Sequence, residues 1–212
     1  MSGADTTDWS DFTLPEFSFS AFPPGSRVLD VGCGSGDQLR MLRQAGLDAI
    51  GVEPRRELVD ALVADGYDVR AGVAEQLPFS AGSCDGVICK VVVPYTDERK
   101  AIGEWARVLR PGGRARATYH GAGYYMRYLE HGPGLMLRVY GLRSLVNTWW
   151  YAATNQRLPG FVGDTLYQST KRLMEYYAQF GLSLERVSPA PRYRGKPVFI
   201  YHELRRLDTP TR

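Results

Sequence analysis

The sequence predicts an α/β fold built on a parallel, doubly wound sheet, and two observations carry that expectation. Short apolar runs that end in an acid or a glycine alternate with stretches whose apolar residues recur at helical spacing, the pattern of βαβ units. The earliest of these runs, Val28-Leu29-Asp30-Val31, passes directly into glycines at alternate positions, Gly32, Gly34 and Gly36. In sheets of this kind a ligand binds at the carboxyl ends of the strands.

Val28 to Val31 reads as a buried central strand, because a short β-branched run before a glycine cluster suits a strand covered on both faces. The glycines form a tight turn that admits a ligand close to the backbone, with no Cβ in the way. Asp37 to Gln44 follows as a helix with Leu39, Leu42 and Ala45 on one face. The loop matches neither the G-x-G-x-x-G of dinucleotide enzymes nor the G-x-x-x-x-G-K-[ST] phosphate loop, so its ligand need not carry a pyrophosphate. A second strand, Asp48 to Glu53, ends in an acid that follows Asp30 by roughly the ~20 residues of a βαβ unit. An acid there can accept hydrogen bonds from both hydroxyls of a ribose.

The pattern then continues in order. Arg55 to Ala64 reads as a helix with Leu58, Leu62 and Val63 inward, and Tyr67 to Ala71 as a third strand. Asp85 to Val93 reads as a fourth, strongly apolar strand in which Lys90 stands out. Asp97 to Leu109 is an amphipathic helix that Thr96 or Asp97 can cap. Pro111-Gly112-Gly113 stops it and leads into a fifth strand, Arg114 to His120. Gln168 to Phe180 is a helix ended by Gly181, and Leu182 to Val187 with Lys196 to Leu204 reads as an antiparallel closing hairpin. Two stretches interrupt the scheme. Residues 1–26 form an arm with Trp9, Phe12, Phe17, Phe19 and Phe22. Residues 121–167 are rich in aromatics and arginines and read as helices broken at Gly132-Pro133-Gly134 and Leu158-Pro159-Gly160. Thr209 to Arg212 reads as a frayed end.

Val28-Leu29-Asp30-Val31-Gly32-Cys33-Gly34-Ser35-Gly36 resembles motif I of the class I S-adenosylmethionine-dependent methyltransferases, of the type 11-like kind. The resemblance continues through Gly51-Val52-Glu53-Pro54, the run Gly72 to Phe79, the run Ser83 to Ile88 and the run Arg107 to Gly113. It covers the first half of the chain well and the second half in outline. It implies a Rossmann-like, seven-stranded, mostly parallel sheet with helices on both faces. It also implies one domain over 1–212, with residues 121–167 as a helical, aromatic lid inserted before the last two strands. The cofactor it implies is S-adenosyl-L-methionine, leaving as S-adenosyl-L-homocysteine. Asp30, Gly32, Cys33, Gly34 and Gly36 would lie against its amino-acid portion, and Glu53 and Pro54 against its ribose side. Family members carry an aspartate for the adenine amino group where this chain has Val73. That leaves Glu75, or the backbone of Ala74 and Glu75, for the task. Lys90 either ends its strand outward or joins the cofactor and acceptor site.

Methyl transfer from a sulfonium needs alignment and exclusion of water, with a general base only for an acceptor such as a hydroxyl. His120 ends the fifth strand on the acceptor side and can serve as that base or simply pack there; Tyr124 is the second candidate. His131 reads as solvated and His202 as structural. No Asp/Asn cluster follows the fourth or fifth strand, so no metal is expected.

Composition narrows the class further. The chain has 212 residues, a formal charge of +3 and 44% hydrophobic residues, ordinary values for a globular chain with no demand for a polyanionic partner. Cys33, Cys84 and Cys89 show no C-x-x-C spacing and read as reduced thiols of a cytoplasmic protein. The N-terminus has no apolar core of a signal peptide. The expected substrate is a small-molecule acceptor with an O-, N- or C-nucleophile. An RNA or protein substrate is the alternative; the fourth strand ends Val92-Val93-Pro94-Tyr95 and not N-P-P-Y, which lowers the nucleic-acid reading, while the arginines of residues 121–167 keep it open. A non-catalytic cofactor-binding module is the remaining alternative. Trp149-Trp150-Tyr151 beside Arg143 and Arg157 suggests contact with a membrane or a lipid-linked acceptor, against a lid packed on itself or on a second copy. Monomer and homodimer both fit the sequence.

Overall fold

The computed structural model describes residues 17–188 and 190–208. Trp9 and Phe12 of the expected arm, and the expected frayed end from Thr209, lie outside the described residues.

Strands β1 (Arg27–Val31), β2 (Asp48–Glu53), β3 (Asp68–Ala71), β4 (Cys84–Lys90), β5 (Leu109–His120), β6 (Leu182–Ser188) and β9 (Phe199–Arg206) form one sheet in the order β3-β2-β1-β4-β5-β9-β6. β1 to β5 run parallel to one another, and β9 runs antiparallel to both β5 and β6. The chain therefore has the Rossmann-like, seven-stranded, mostly parallel sheet. Helices α1 (Asp37–Gln44), α2 (Arg56–Ala64), α3 (Glu98–Val108) and α6 (Thr170–Gln179) form where the helical spacing placed them, but Val63, read as inward, is exposed with Val59 buried in its stead, and Ala45 lies exposed beyond the end of α1.

Strand alternation sorts the apolar side chains into two layers. Leu29, Val31, Ile50, Val52, Val87 and Cys89 join α3 and α6 through Trp105, Leu173 and Tyr177. Val28, Ala49 and Ile88 join α1 and α2 through Leu39, Leu42, Val59 and Leu62. The second layer holds one residue fewer per strand because Asp30 and Glu53 occupy its carboxyl-terminal positions.

Several boundaries differ from the sequence reading: β5 begins at Leu109, not Arg114, so Pro111-Gly112-Gly113 lies inside the strand, and two further differences bear on the site. β4 stops at Lys90, not Val93: Val91 takes a left-handed φ of 59° and its N–H bonds Thr118 O at 2.9 Å, after which Val93–Tyr95 forms a single 3-10 turn. That conformation is costly for a β-branched residue. It tucks Val92 against the glycine loop, where a Cβ on Gly32 would fall 2.4 Å from Val92 Cγ2. The last strand begins at Phe199, not Lys196. Lys196–Pro197 instead forms β8, paired with β7 (Arg192–Tyr193). Their connection, Arg194-Gly195, has φ of 47° and 74°, as a two-residue hairpin turn requires.

Between β5 and α6 lie α4 (Ala122–His131), α5 (Leu135–Thr154) and a 3-10 turn at Gly160–Val162. The segment is tied to the carboxyl ends of β4 and β5. Leu166 N–H donates to Pro94 O at 3.0 Å, Gln168 N–H donates to His120 O at 2.9 Å, and the Arg157 guanidinium donates to Thr96 O.

Candidate cofactor and acceptor site

β1 delivers the chain into a loop held by β2. The N–H groups of Gly32 and Cys33 both donate to Val52 O, at 2.9 and 3.1 Å. Gly32, Gly34 and Gly36 have φ of 72°, 54° and 84°. Gly36 also has no room for a side chain, since a Cβ would meet Leu62 Cδ2 at 2.5 Å. It opens α1 without a side-chain cap, so the positive end of that helix faces the loop.

Five polar side chains share the face of the sheet covered by α1 and α2. Asp30 pairs in register with Gly51 and Ile88, Glu53 lies two residues beyond Gly51, Lys90 two beyond Ile88, and Lys90 pairs with Thr118. His120 lies two residues further along β5. Alternation therefore turns Asp30, Glu53, Lys90, Thr118 and His120 to one side, at or near the strand ends.

Asp30 is buried, and its Oδ2 has no hydrogen-bond partner. Burial pushes its carboxyl from 3.8 up to about 7; the Lys90 ammonium pulls it down and the Glu53 carboxylate pushes it up. A buried carboxyl with an unpaired oxygen at a glycine loop has the chemistry to take a cationic or hydrogen-bond-donating partner. Glu53 is buried too, but partnered. Its Oε2 accepts from Gly34 N at 3.0 Å, and its Oε1 accepts from Arg55 N at 3.3 Å and Arg55 Nε at 2.7 Å. Oε1 is thereby filled, and Oε2 keeps one free acceptor position. Sequence reasoning missed Arg55, although an arginine two residues after a strand-end acid could have been noted. Pro54 beside it is exposed. The thiol of Cys33 is pushed up to about 12, chiefly by burial, so it is an inert neutral group in the loop.

After β3, Val73 is exposed and Ala74 buried. Glu75 turns one oxygen to the N–H of Asp97 at 2.9 Å, which ties this loop to the start of α3. Asp97 caps α3 by accepting from Lys100 N at 3.1 Å.

The carboxyl end of β5 is lined by aromatic side chains. His120 stacks on Tyr124 with ring centroids 3.6 Å apart and 10° between planes, and its Nδ1 lies 3.4 Å from Tyr125 Oη. Burial lowers its pKa from 6.5 to about 3, so the ring is neutral near pH 7 and a weak base. Burial also pushes the Tyr124 phenol well up, so it too stays neutral. Tyr95 and Tyr140 meet hydroxyl to hydroxyl at 2.9 Å, and Tyr124 donates to Tyr128 at 3.3 Å. This brings β4, β5, α4 and α5 together in one wall. His202 instead packs in the core, with Nδ1 2.9 Å from Tyr177 Oη.

A second feature was illegible in the sequence. Glu98 is buried and receives Arg172 through Nε and Nη2, each at 2.9 Å, and Gln168 Nε2 at 2.8 Å. These bonds clamp α3 to α6 and to the segment returning from the insertion. All three cysteines are free and buried. Among the described residues, no group of three or more His, Cys, Asp or Glu side chains is arranged to hold a metal ion.

Residues 29–117 match the family model described as a methyltransferase domain. An uncharacterized methyltransferase of Mycobacterium tuberculosis is 42% identical over 90 residues, which cover 42% of this chain and 37% of that protein. A tRNA (carboxymethyluridine(34)-5-O)-methyltransferase of Mus musculus is 38% identical over 99 residues, covering 45% of this chain and 15% of that protein. The chain thus spans well under half the length of these curated relatives. Among solved structures, an S-adenosylmethionine-dependent methyltransferase from Mesorhizobium loti superposes with a TM-score of 0.63 at 16% identity, over 86% of this chain and 92% of that one. The fold is that of the class I methyltransferases.

Proposed function

We infer, from a chain that carries a methyltransferase domain over residues 29–117 within a class I methyltransferase fold, that it transfers a methyl group from S-adenosyl-L-methionine to a small-molecule acceptor. The observation that carries this reading is the orphan Oδ2 of buried Asp30 beside the glycine loop. A cationic amino group supplies the partner that this acid lacks. When bound, the cofactor supplies a methyl group already activated on a sulfonium.

The residues of this chain then have distinct tasks. Asp30 binds the cation of the amino-acid portion, and Gly32, Gly34 and Gly36 let that portion lie against backbone. Glu53 receives a ribose hydroxyl on the free position of Oε2 while Gly34 N and Arg55 hold its carboxylate in place. Ala74 and Glu75 border the adenine. Lys90, exposed at the end of β4, lowers the Asp30 carboxyl through its charge and borders the same strand ends. His120, Tyr124 and the neighbouring tyrosines exclude water and orient the acceptor.

The acceptor is a nucleophile that needs no strong base, such as an amine or an activated carbon. The neutral, weakly basic His120 and the neutral Tyr124 support this choice, because an effective general base has a pKa near the working pH. Transfer then rests on proximity and alignment. Incubation with tritiated S-adenosylmethionine and fractionated small metabolites tests the reading. Label transferred to an amine- or carbon-methylated product is the expected result. Absence of S-adenosylhomocysteine binding by calorimetry overturns it.

A further inference from the structure

Helix α5 is inside out. Its 20 residues span about 30 Å. The residues it buries are small or polar: Gly141, Ser144, Asn147 and Thr148. These are fully engaged. Asn147 donates to Thr165 O and accepts from Leu158 N, both at 2.9 Å, and Thr148 Oγ1 accepts from Tyr167 N at 2.9 Å. Gly141 admits α4, since a Cβ there would meet Tyr125 O at 2.5 Å. The helix cannot roll over to hide its other side without breaking these bonds.

That other side is apolar along its whole length. Leu135, Met136, Val139, Leu142, Val146 and Trp149 are all exposed, Met136 by 78% and Trp149 by 71%. At about 100° per residue they form one stripe opposite Ser144. Phe161 extends it, exposed by 61%, with the Arg143 guanidinium 4.2 Å from its ring centroid. An apolar surface of this extent marks a docking face.

Charge selects the occupant. Arg138 and Arg143 flank the stripe on opposite edges by the same helical angles, and α5 contains no Asp or Glu. Two copies of this face laid together would offer each exposed Arg138 no carboxylate from the facing helix, which disfavours self-docking. A lipid phosphate can accept from the exposed Arg138, whereas the Arg143 guanidinium is already paired with Asp164 and Phe161 O. Tryptophan at the stripe suits the boundary between headgroups and acyl chains. No helix among the described residues is long and apolar enough to cross a membrane, so the helix would lie in the plane.

We propose that α5 docks this protein on an anionic lipid surface, with the Leu135–Trp149 stripe in the acyl boundary and Arg138 at the headgroups. The inference is independent of the cofactor reading. The test is co-sedimentation of the full chain with vesicles of phosphatidylcholine containing about one third phosphatidylglycerol, a strongly anionic surface, against phosphatidylcholine alone. Wild type should pellet with the anionic vesicles. The double variant Leu142→Ser/Trp149→Ser should partition at least about tenfold less, since both side chains insert. Its melting temperature and S-adenosylhomocysteine affinity should match wild type, because neither residue belongs to the core or the site. Arg138→Glu should weaken binding to the anionic vesicles alone. The proposal is overturned if wild type stays in the supernatant with anionic vesicles, or if the double variant binds as well as wild type. It is also overturned if sedimentation shows a dimer that Val146→Glu dissolves while no vesicle binding is seen.

Discussion

The backbone N–H of Gly34 donates to Glu53 Oε2 at 3.0 Å, joining the middle of the glycine loop to the end of β2. One carboxylate thereby ties down the loop and keeps one acceptor position of Oε2 free, the position proposed for a ribose hydroxyl. Arg55 holds its other oxygen at 2.7 Å.

Glu53→Ala should therefore weaken S-adenosylhomocysteine binding by roughly 30- to 150-fold, the equivalent of about 2–3 kcal/mol for a charged acceptor. Calorimetry at fixed pH measures it. Unchanged affinity would remove Glu53 from the site.

Cofactor affinity should rise with pH through neutrality. Asp30 in the free protein titrates at about 7, and a cationic ligand binds its ionised form, so binding releases a proton below that pH. Affinity for S-adenosylhomocysteine should climb as pH increases from about 6 to about 8 and then level off. Asp30→Asn should bind weakly at every pH, with that slope gone. A flat wild-type profile would show that the ligand cation does not meet Asp30.

Acid should destabilise the free protein through its buried histidines. Burial lowers His120 to about 3 and His202 to about 4, from 6.5, so the unfolded chain binds these protons first and stability falls as pH drops from 6.5 toward 4. Asp30, raised from 3.8 to about 7, acts in the opposite sense: its contribution is full at low pH and is lost as pH rises through 7. The net slope should be about one proton between pH 6 and 4, and Asp30→Asn should steepen it to about two. Denaturant titrations across that range measure both. The same burial makes His120 a poor base, so with an identified acceptor His120→Ala should lower kcat by less than about tenfold. A loss of about 10²-fold or more would restore the general-base role.

Glu98→Ala should destabilise the fold by about 3–5 kcal/mol, because it leaves the Arg172 guanidinium buried without its carboxylate. The loss should appear in chemical denaturation, with residual cofactor affinity near wild type in the folded fraction. A change below about 1 kcal/mol would mean that Arg172 finds another partner.

Local sequence alone determined the order of strands and helices through the first half of the chain, and with it which residues stand at the glycine loop and the strand ends beside it. The alternation of apolar runs, the glycines after β1 and the acid at the end of β2 are short-range signals, because each states what its own backbone must do. The helix limits Asp37 to Gln44 and the strand limits Asp48 to Glu53 came out as read. Contacts between distant segments decided the rest. Val91 turns left-handed to bring Val92 onto Gly32, far away in the chain, and no local propensity favours that. Glu98 and Arg172 meet across 74 residues. His120 looked like a titratable base by residue type, and only its burial against Tyr124 and Tyr125 lowers its basicity. The same holds for α5. Its sequence shows apolar, aromatic and small polar residues mixed on one helix, and which side faces inward depended on Asn147, Thr148 and Gly141 finding partners in α4 and the returning chain. Burying those polar groups with their hydrogen bonds made is what left the apolar stripe on the surface, because a helix has only one face to give to the core.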